Sequence, residues 1–147
     1  MDINTKIKIT AVQLGGLPSD LYDNLFVSRI NDSPNRESLL KSMNVKSIKD
    51  YNLERILHNI KIASNKGTDL IVFSELALSS FFPYFYTEQI SSLDAFFEEG
   101  QMDNNIYLKS IYDTAREFGV AVAFGYAEKV SENERYSHLK TKCPFSV

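Results

Sequence analysis

The residue in this sequence with the clearest potential for chemistry is Glu75. It follows an apolar run at 70–73 whose β-branched and aromatic residues predict a strand buried on both faces of a sheet. Open α/β sheets bind their ligands beyond the carboxyl ends of the strands, and Glu75 stands at such an end. Because an ionised carboxylate is costly to bury without a partner, two interpretations are open. Glu75 is either a surface residue at a strand exit or an acid–base group in a cleft.

Two further residues, His58 and Cys143, are candidates for metal binding or nucleophilic attack, and their surroundings argue against both roles. His58 lies off the apolar stripe of a predicted helix, with no second metal ligand at helical spacing, so we expect it to be solvated. Cys143 is the single cysteine and lies in a segment, 136–147, with no helical or strand period. Lys142 could favour its thiolate, but nothing would hold the sulfur opposite Glu75. We therefore expect a free, exposed thiol, no disulfide and no metal site.

Composition restricts the class of protein. The 147 residues are 44% apolar and 24% charged, which is ordinary for one globular domain. The net charge of −3 argues against nucleic acid as a partner. There is no apolar run long enough to span a membrane, and the first residues lack the apolar core of a signal peptide. With one cysteine, these features favour a reducing compartment, and we expect a cytoplasmic protein.

The elements that would position Glu75 can be predicted on both sides of it. Residues 6–14 predict a first strand that Gly15-Gly16 ends, with Gln13 as a hydrogen-bonding residue at the strand exit. Residues 17–49 contain two prolines and many polar residues, which predicts a long loop or insertion with one short helix near Leu39-Leu40.

Two amphipathic helices and another strand follow. The first helix has a stripe at Leu53, Ile56, Leu57, Ile60 and Ala63, a cap at Asp50 or Asn52, and Gly67 at its end. The second runs from about 104 to 118 and ends at Gly119. Residues 120–126 then predict a buried strand, with Glu128 just beyond it. Between the helices, an aromatic cluster predicts core packing, and a short helix capped by Ser91 or Ser92 includes Leu93, Phe96 and Phe97. This alternation predicts an α/β fold with neighbouring parallel strands.

The stretch Asp69–Pro83 resembles the first catalytic segment of the nitrilase (carbon–nitrogen hydrolase) superfamily, in which a strand ends in Phe-Pro-Glu-Leu. Ala11-Val12-Gln13 and Gly67–Phe73 agree with that pattern. Within the superfamily, residues 75–83, 93–96 and 125–128 are most similar to the N-carbamoyl-D-amino-acid amidohydrolase branch. The resemblance covers about 6–14 and 51–129.

The resemblance implies a fold, a mechanism and an assembly. The fold is the N-terminal half of a four-layer α-β-β-α sandwich, and the full-length family forms homo-oligomers. The family hydrolyses small amides or nitriles with a Glu-Lys-Cys triad and without a metal or cofactor, and Glu75 matches its general base. The matching lysine, in a Tyr-Arg-Lys-x-His segment, and the cysteine belong to a part of the family fold beyond this chain's end. The implied substrate is an N-carbamoyl amino acid, and we expect this chain alone to be inactive.

Three departures from the family pattern qualify these expectations. Ser74 replaces a proline that would have fixed φ before the glutamate. The segment 17–49 is longer than the corresponding segment expected for the family. The tail at 136–147 departs from the pattern, because His138-Leu139-Lys140 reverses the order of Lys-x-His, and we hypothesise a truncated or frame-shifted product. The alternatives are another amidase or β-ureidopropionase-like branch, a non-catalytic relic or dimerisation module, and a complete small α/β binding protein.

Overall fold

The computed structural model describes residues 6–17, 29–79, 81–85, 87–99, 104–131 and 134–142, with only the backbone described at 131 and 134–142. Three α-helices, two 3₁₀ helices and five strands have their bounds in these ranges. In chain order they are β1 (Ile9–Val12), α1 (Arg36–Ser42), α2 (Val45–Asn65), β2 (Leu70–Phe73), 3₁₀ helices at Phe82–Tyr84 and Ile90–Phe96, β3 (Glu98–Glu99), α3 (Ile106–Glu117), β4 (Ala121–Ser131) and β5 (Glu134–Lys142). The expected α/β architecture is confirmed.

The strands form one sheet in which β1, β2, β4 and β3 are parallel. β5 pairs antiparallel with β4 along almost its whole length. Since a strand has two edges, β2 and β3 share the other edge of β4, with β2 at 121–123 and β3 at 128–129. The chain therefore leaves β2 beside the part of β4 that lies between these two paired segments.

Helices α2 and α3 pack on one face of the sheet and form the larger core with it. Ile56, Ile60 and Ala63 of α2 are buried there, and Leu53 and Leu57 pack at its margin, as the apolar stripe predicts. Ile71, Val122 and Phe124 project from the sheet into the same core. Gly67 and Gly119 follow the two helices with φ of 70° and 64°, the left-handed conformation that glycine adopts without strain.

A second core lies around the aromatic segment that follows β2. Phe82, Phe85 and Phe96 are buried, with ring centroids of Phe82 and Phe96 5.0 Å apart. Leu40 of α1 and Val45 of α2 pack into the same cluster. The prediction of an aromatic core is confirmed for these rings, whereas Phe81 and Tyr84 are exposed.

The segment predicted as a loop or insertion, 17–49, is partly helical. The short helix expected near Leu39-Leu40 is confirmed as α1, but α2 begins at Val45, earlier than the predicted cap at Asp50 or Asn52. Asn44 caps α2 by accepting a hydrogen bond from the amide of Ser47 at 3.2 Å. Buried Lys49 and Asn52 interrupt the apolar pattern of the first turns, which is why the sequence obscured them. Whether 17–49 is an insertion stays a prediction.

The strand bounds also differ from the prediction. β1 is shorter than 6–14, and β4 continues to Ser131, so Glu128 lies within the strand. The expectation of an irregular tail is wrong for 136–142, which belong to β5. Cross-strand hydrogen bonds to β4 form this strand, and such bonds depend on a neighbouring edge that the sequence pattern does not display. Among the described helices, none is long and apolar enough to cross a membrane.

Candidate active site

Glu75 lies at the carboxyl end of β2, in a turn that spans 75–79. Leu76, Ala77 and Leu78 of this turn are buried, while Ser74 and Glu75 are exposed. Leu76 has φ of 53°, an uncommon backbone conformation for a residue with a side chain. Such conformations persist only where surrounding packing imposes them. The apolar part of the turn thus fixes the backbone, while Glu75 itself is exposed.

Two contacts hold this turn from either side. Asn52 of α2 is 2% exposed and donates a hydrogen bond from Nδ2 to the carbonyl oxygen of Leu78 at 2.9 Å. On the sheet side, Gly125 of β4 lies against Glu75, where an added Cβ would be 3.0 Å from the Cα of Glu75. The sequence analysis treated Asn52 as one of two candidate helix caps, with Asp50, and gave no role to Gly125. A polar residue at a buried position of a helix stripe, and a glycine inside a strand, are the signals that could have found them.

Glu75 is in the wall of a cavity of about 230 Å³ at this edge of the sheet. The cavity is lined by Leu14, Gly15, Gly16, Leu17, Asn52, Ser74, Glu75, Leu76, Ala77 and Phe81. The loop after β1 therefore faces the turn after β2, as expected for adjacent parallel strands. Arg55 fixes that loop by donating from Nη1 to the carbonyl oxygen of Gly15 at 3.0 Å. Gln13 is exposed and does not line the cavity.

Lys49, about one turn before Asn52 on the same helix, forms a buried ion pair with Glu98 of β3. Lys49 Nζ is 2.5 Å from Glu98 Oε1, and the two side chains are only 7% and 5% exposed. Lys49 also donates to the carbonyl oxygen of Phe97 at 3.1 Å, and Asn105 Nδ2 donates to Glu98 Oε2 at 2.7 Å. The pair joins α2 to β3, the strand that occupies the edge of β4 beyond Glu75. Sequence reasoning missed both residues.

Tyrosines near this pair stay protonated well above neutral pH. Burial, followed by the nearby Glu128 and Glu98 carboxylates, raises the pKa of Tyr126. Burial and a hydrogen bond from its hydroxyl to Asp50 raise the pKa of Tyr107 to about 12. These phenols are therefore neutral hydrogen-bonding groups under ordinary conditions.

A family model, carbon-nitrogen hydrolase, matches residues 38–143. This chain belongs to the carbon–nitrogen hydrolase family. The match covers Glu75, Asn52 and Gly125, so the strand exit and both of its supports lie inside the family domain. The parallel sheet with α2 and α3 on one face is consistent with part of the nitrilase-type fold that the resemblance implies.

The remaining sequence-predicted residues are His58 and Cys143. His58 is exposed on α2, as expected. Cys143 lies outside the described residues, so its position relative to Glu75 stays a prediction. Within the described ranges, no group of three or more histidine, cysteine, aspartate or glutamate residues is arranged to hold a metal ion.

Proposed function

We propose that Glu75 is the general base of a hydrolase that cleaves non-peptide carbon–nitrogen bonds, with N-carbamoyl amino acids as substrates. Family membership supports the reaction class. The observation that favours Glu75 is its place in the cavity wall at the carboxyl end of β2, on a turn held by Asn52 and Gly125. The N-carbamoyl substrate rests on the similarity of residues 75–83, 93–96 and 125–128 to the amidohydrolase branch.

The proposed chemistry gives Glu75 two proton transfers. The carboxylate takes the proton of a cysteine thiol, and the resulting thiolate attacks the carbonyl carbon of the substrate. A lysine ammonium stabilises the negative charge on the tetrahedral oxygen. The C–N bond then breaks as Glu75 returns the proton to the leaving nitrogen. Water hydrolyses the thioester-type intermediate, and the net products are the free amino acid, ammonia and carbon dioxide.

Within these 147 residues, Glu75 is the member of the triad that we can assign. The sequence has no Tyr-Arg-Lys-x-His segment, and its one cysteine is Cys143. We therefore propose that this chain supplies the base and part of the substrate cavity, and that it does not turn over substrate by itself. The cavity can still bind the amide group, because a carboxylate accepts hydrogen bonds from the N–H groups of a carbamoyl substituent.

Calorimetric titration of the 147-residue chain with N-carbamoylglycine tests the amide site. We expect Glu75→Gln to weaken binding by at least tenfold, since a charge-assisted hydrogen bond contributes about 1.5–3 kcal/mol. Glu54→Gln, which neutralises an exposed carboxylate of α2, should leave the affinity unchanged. Absence of binding, or equal affinity of the Glu75→Gln variant, would contradict the proposal.

An ammonia-release assay on the same chain tests the division of the triad. We expect no release above background. Release that disappears in both the Glu75→Gln and Cys143→Ser variants would instead show that this chain contains a working base and nucleophile.

A further inference from the structure

We propose that Lys49 is a positioning residue for Glu75, and that it acts through its buried ion pair with Glu98. This inference rests on the proposed function, since Glu75 is the group whose placement the pair would set. The observation behind it is that α2 holds the chain on both sides of the contact between Glu75 and β4, through two buried polar side chains.

Lys49 and Asn52 lie on the same side of α2. They are three positions apart, so their side chains project from one face of the helix, and they are only 6% and 2% exposed. Ile56 and Ile60 continue this buried face into the larger core. The face therefore has an apolar part, which packs on the sheet, and a polar part formed by Lys49 and Asn52.

The two polar side chains bind two different segments of the chain. Asn52 donates to the carbonyl oxygen of Leu78, in the turn after β2. Lys49 pairs with Glu98 of β3 at 2.5 Å and also donates to the carbonyl oxygen of Phe97 at 3.1 Å. α2 thus fixes the chain after it leaves β2 and again where it enters β3.

Both fixed segments lie along one edge of β4, and Glu75 contacts β4 between them. β2 pairs with β4 at 121–123, and β3 pairs with it at 128–129. Gly125 lies between these pairings, and a Cβ added there would be 3.0 Å from the Cα of Glu75. A shift of β3 along this edge would change the space that the turn occupies. The ion pair that anchors β3 to α2 therefore also limits the position of Glu75.

Stability alone does not account for a lysine and a glutamate at these buried positions. Taking two charges out of water is costly, and apolar residues of similar volume often give equal or greater stability than a buried ion pair. The pair differs from apolar packing in direction, because Lys49 binds one carboxylate oxygen of Glu98 and Asn105 donates to the other. A buried polar network with its partners in place favours one arrangement of the elements that it joins.

The test compares the unmodified chain with Lys49→Met and with the double variant Lys49→Met/Glu98→Gln. Calorimetric titration with N-carbamoylglycine measures the amide site, amide hydrogen exchange at 76–79 measures the turn, and chemical denaturation measures global stability. We expect Lys49→Met to weaken binding by about threefold or more, the scale of couplings that act through packed neighbours, and to speed exchange at 76–79.

The double variant separates positioning from stability. With neither charge left unpaired, it should recover part of the stability lost in Lys49→Met, while binding stays weaker and exchange at 76–79 stays faster than in the unmodified chain. Lys46→Met is the matched control, because Lys46 lies on the same helix in an exposed pair with Asp50 and should change neither binding nor exchange.

The outcomes distinguish the positioning role from the proposed function. Full recovery of either binding or exchange in the double variant would overturn the positioning role, because Lys49 would then act on stability alone. Absence of N-carbamoylglycine binding by the unmodified chain would contradict the proposed function, and exchange at 76–79 would still decide the positioning role. If Lys49→Met does not fold, the double variant provides both readings.

Discussion

Gly125 lies so close to Glu75 that a Cβ atom at position 125 would be 3.0 Å from the Cα of Glu75 and 3.3 Å from the amide nitrogen of Leu76. Both neighbouring atoms belong to the backbone, which cannot move aside as a flexible side chain can. β4 therefore acts as a flat support for the turn after β2. The absence of a side chain at position 125 determines how closely Glu75 approaches the sheet.

Gly125→Ala should displace the backbone of Glu75 by a few tenths of an ångström. We expect the free energy of unfolding to fall by about 1–3 kcal/mol, the usual cost of overpacking, and N-carbamoylglycine to bind more weakly. Chemical denaturation and calorimetric titration measure the two effects.

Gly16→Ala is the stability control for that substitution. Nothing lies within 4 Å of a Cβ added at Gly16, although this residue lines the same cavity. Its free energy of unfolding should change by no more than about 0.5 kcal/mol. Equal stability of the Gly125→Ala variant and the unmodified chain would show that the turn accommodates the methyl group without strain.

Asn52→Ala should release the other side of the turn. The substitution leaves the buried carbonyl of Leu78 without the hydrogen bond from Asn52, and an unsatisfied buried group costs about 1–3 kcal/mol. Amide hydrogens at 76–79 should then exchange faster, as measured by nuclear magnetic resonance. Asn59→Ala is the control on the same helix, because Asn59 donates a hydrogen bond within α2, to the carbonyl oxygen of Arg55 one turn earlier. If both variants changed exchange at 76–79 equally, Asn52 would have no specific role in holding the turn.

Local pattern was sufficient to predict the elements with a strong period of their own. α3 and β2 follow directly from their apolar stripe and apolar run, and Gly67 and Gly119 end their helices with the predicted left-handed φ. The position of Glu75 at a strand exit followed from the same reasoning. Such features depend on neighbours in sequence, which a single sequence displays.

Features that depend on distant partners were not predictable in this way. Lys49 and Glu98 are 49 positions apart, and each is an improbable core residue until the other is placed beside it. β5 pairs with β4, and its own residues show no division between an apolar and a polar face. Gly125 stands out as a glycine inside a strand, but the sequence does not show that the turn at Glu75 packs against it.

The Lys49–Glu98 pair should show strong coupling in a double-mutant cycle. Lys49→Met or Glu98→Gln alone disrupts the charge pairing inside the core, and removing one partner of a buried pair typically costs about 3–5 kcal/mol. The double variant should be less destabilised than the sum of the single variants, because neither charge remains. Chemical denaturation of the four proteins provides the measurement.

An exposed pair supplies the comparison for that cycle. Lys109 and Asp113 form an ion pair on α3 with side chains 55% and 45% exposed, so the same cycle there should give a coupling of about 0.5 kcal/mol or less. Equal coupling in the two cycles would mean that burial does not strengthen the Lys49–Glu98 interaction.

Glu37 should make the free energy of unfolding depend on pH in the acidic range. Its carboxylate accepts hydrogen bonds from the hydroxyls of Ser92 and Thr87 and from the amide of Glu88, which join α1 to the segment before β3. These bonds, that from Ser92 first, lower the pKa of Glu37 from its ordinary value of 4.5 to about 2. A lowered folded-state pKa means that the unfolded chain takes up the proton first as the pH falls. The stabilisation from Glu37 is therefore complete above about pH 4.5 and is lost progressively towards pH 2.

Urea denaturation at pH 6 and pH 3 measures this loss. The unmodified chain should lose more stability between these two conditions than Glu37→Gln, because glutamine has no proton to gain. Glu54→Gln removes an exposed carboxylate of α2 and should lose as much stability as the unmodified chain. Hydrogen bonds from hydroxyl groups, that from Ser92 first, lower the pKa of Glu37. Ser92→Ala should therefore reduce the acid sensitivity of the stability, as Glu37→Gln does. Acid sensitivity that persisted unchanged in both Glu37→Gln and Ser92→Ala would assign the effect to other carboxylates.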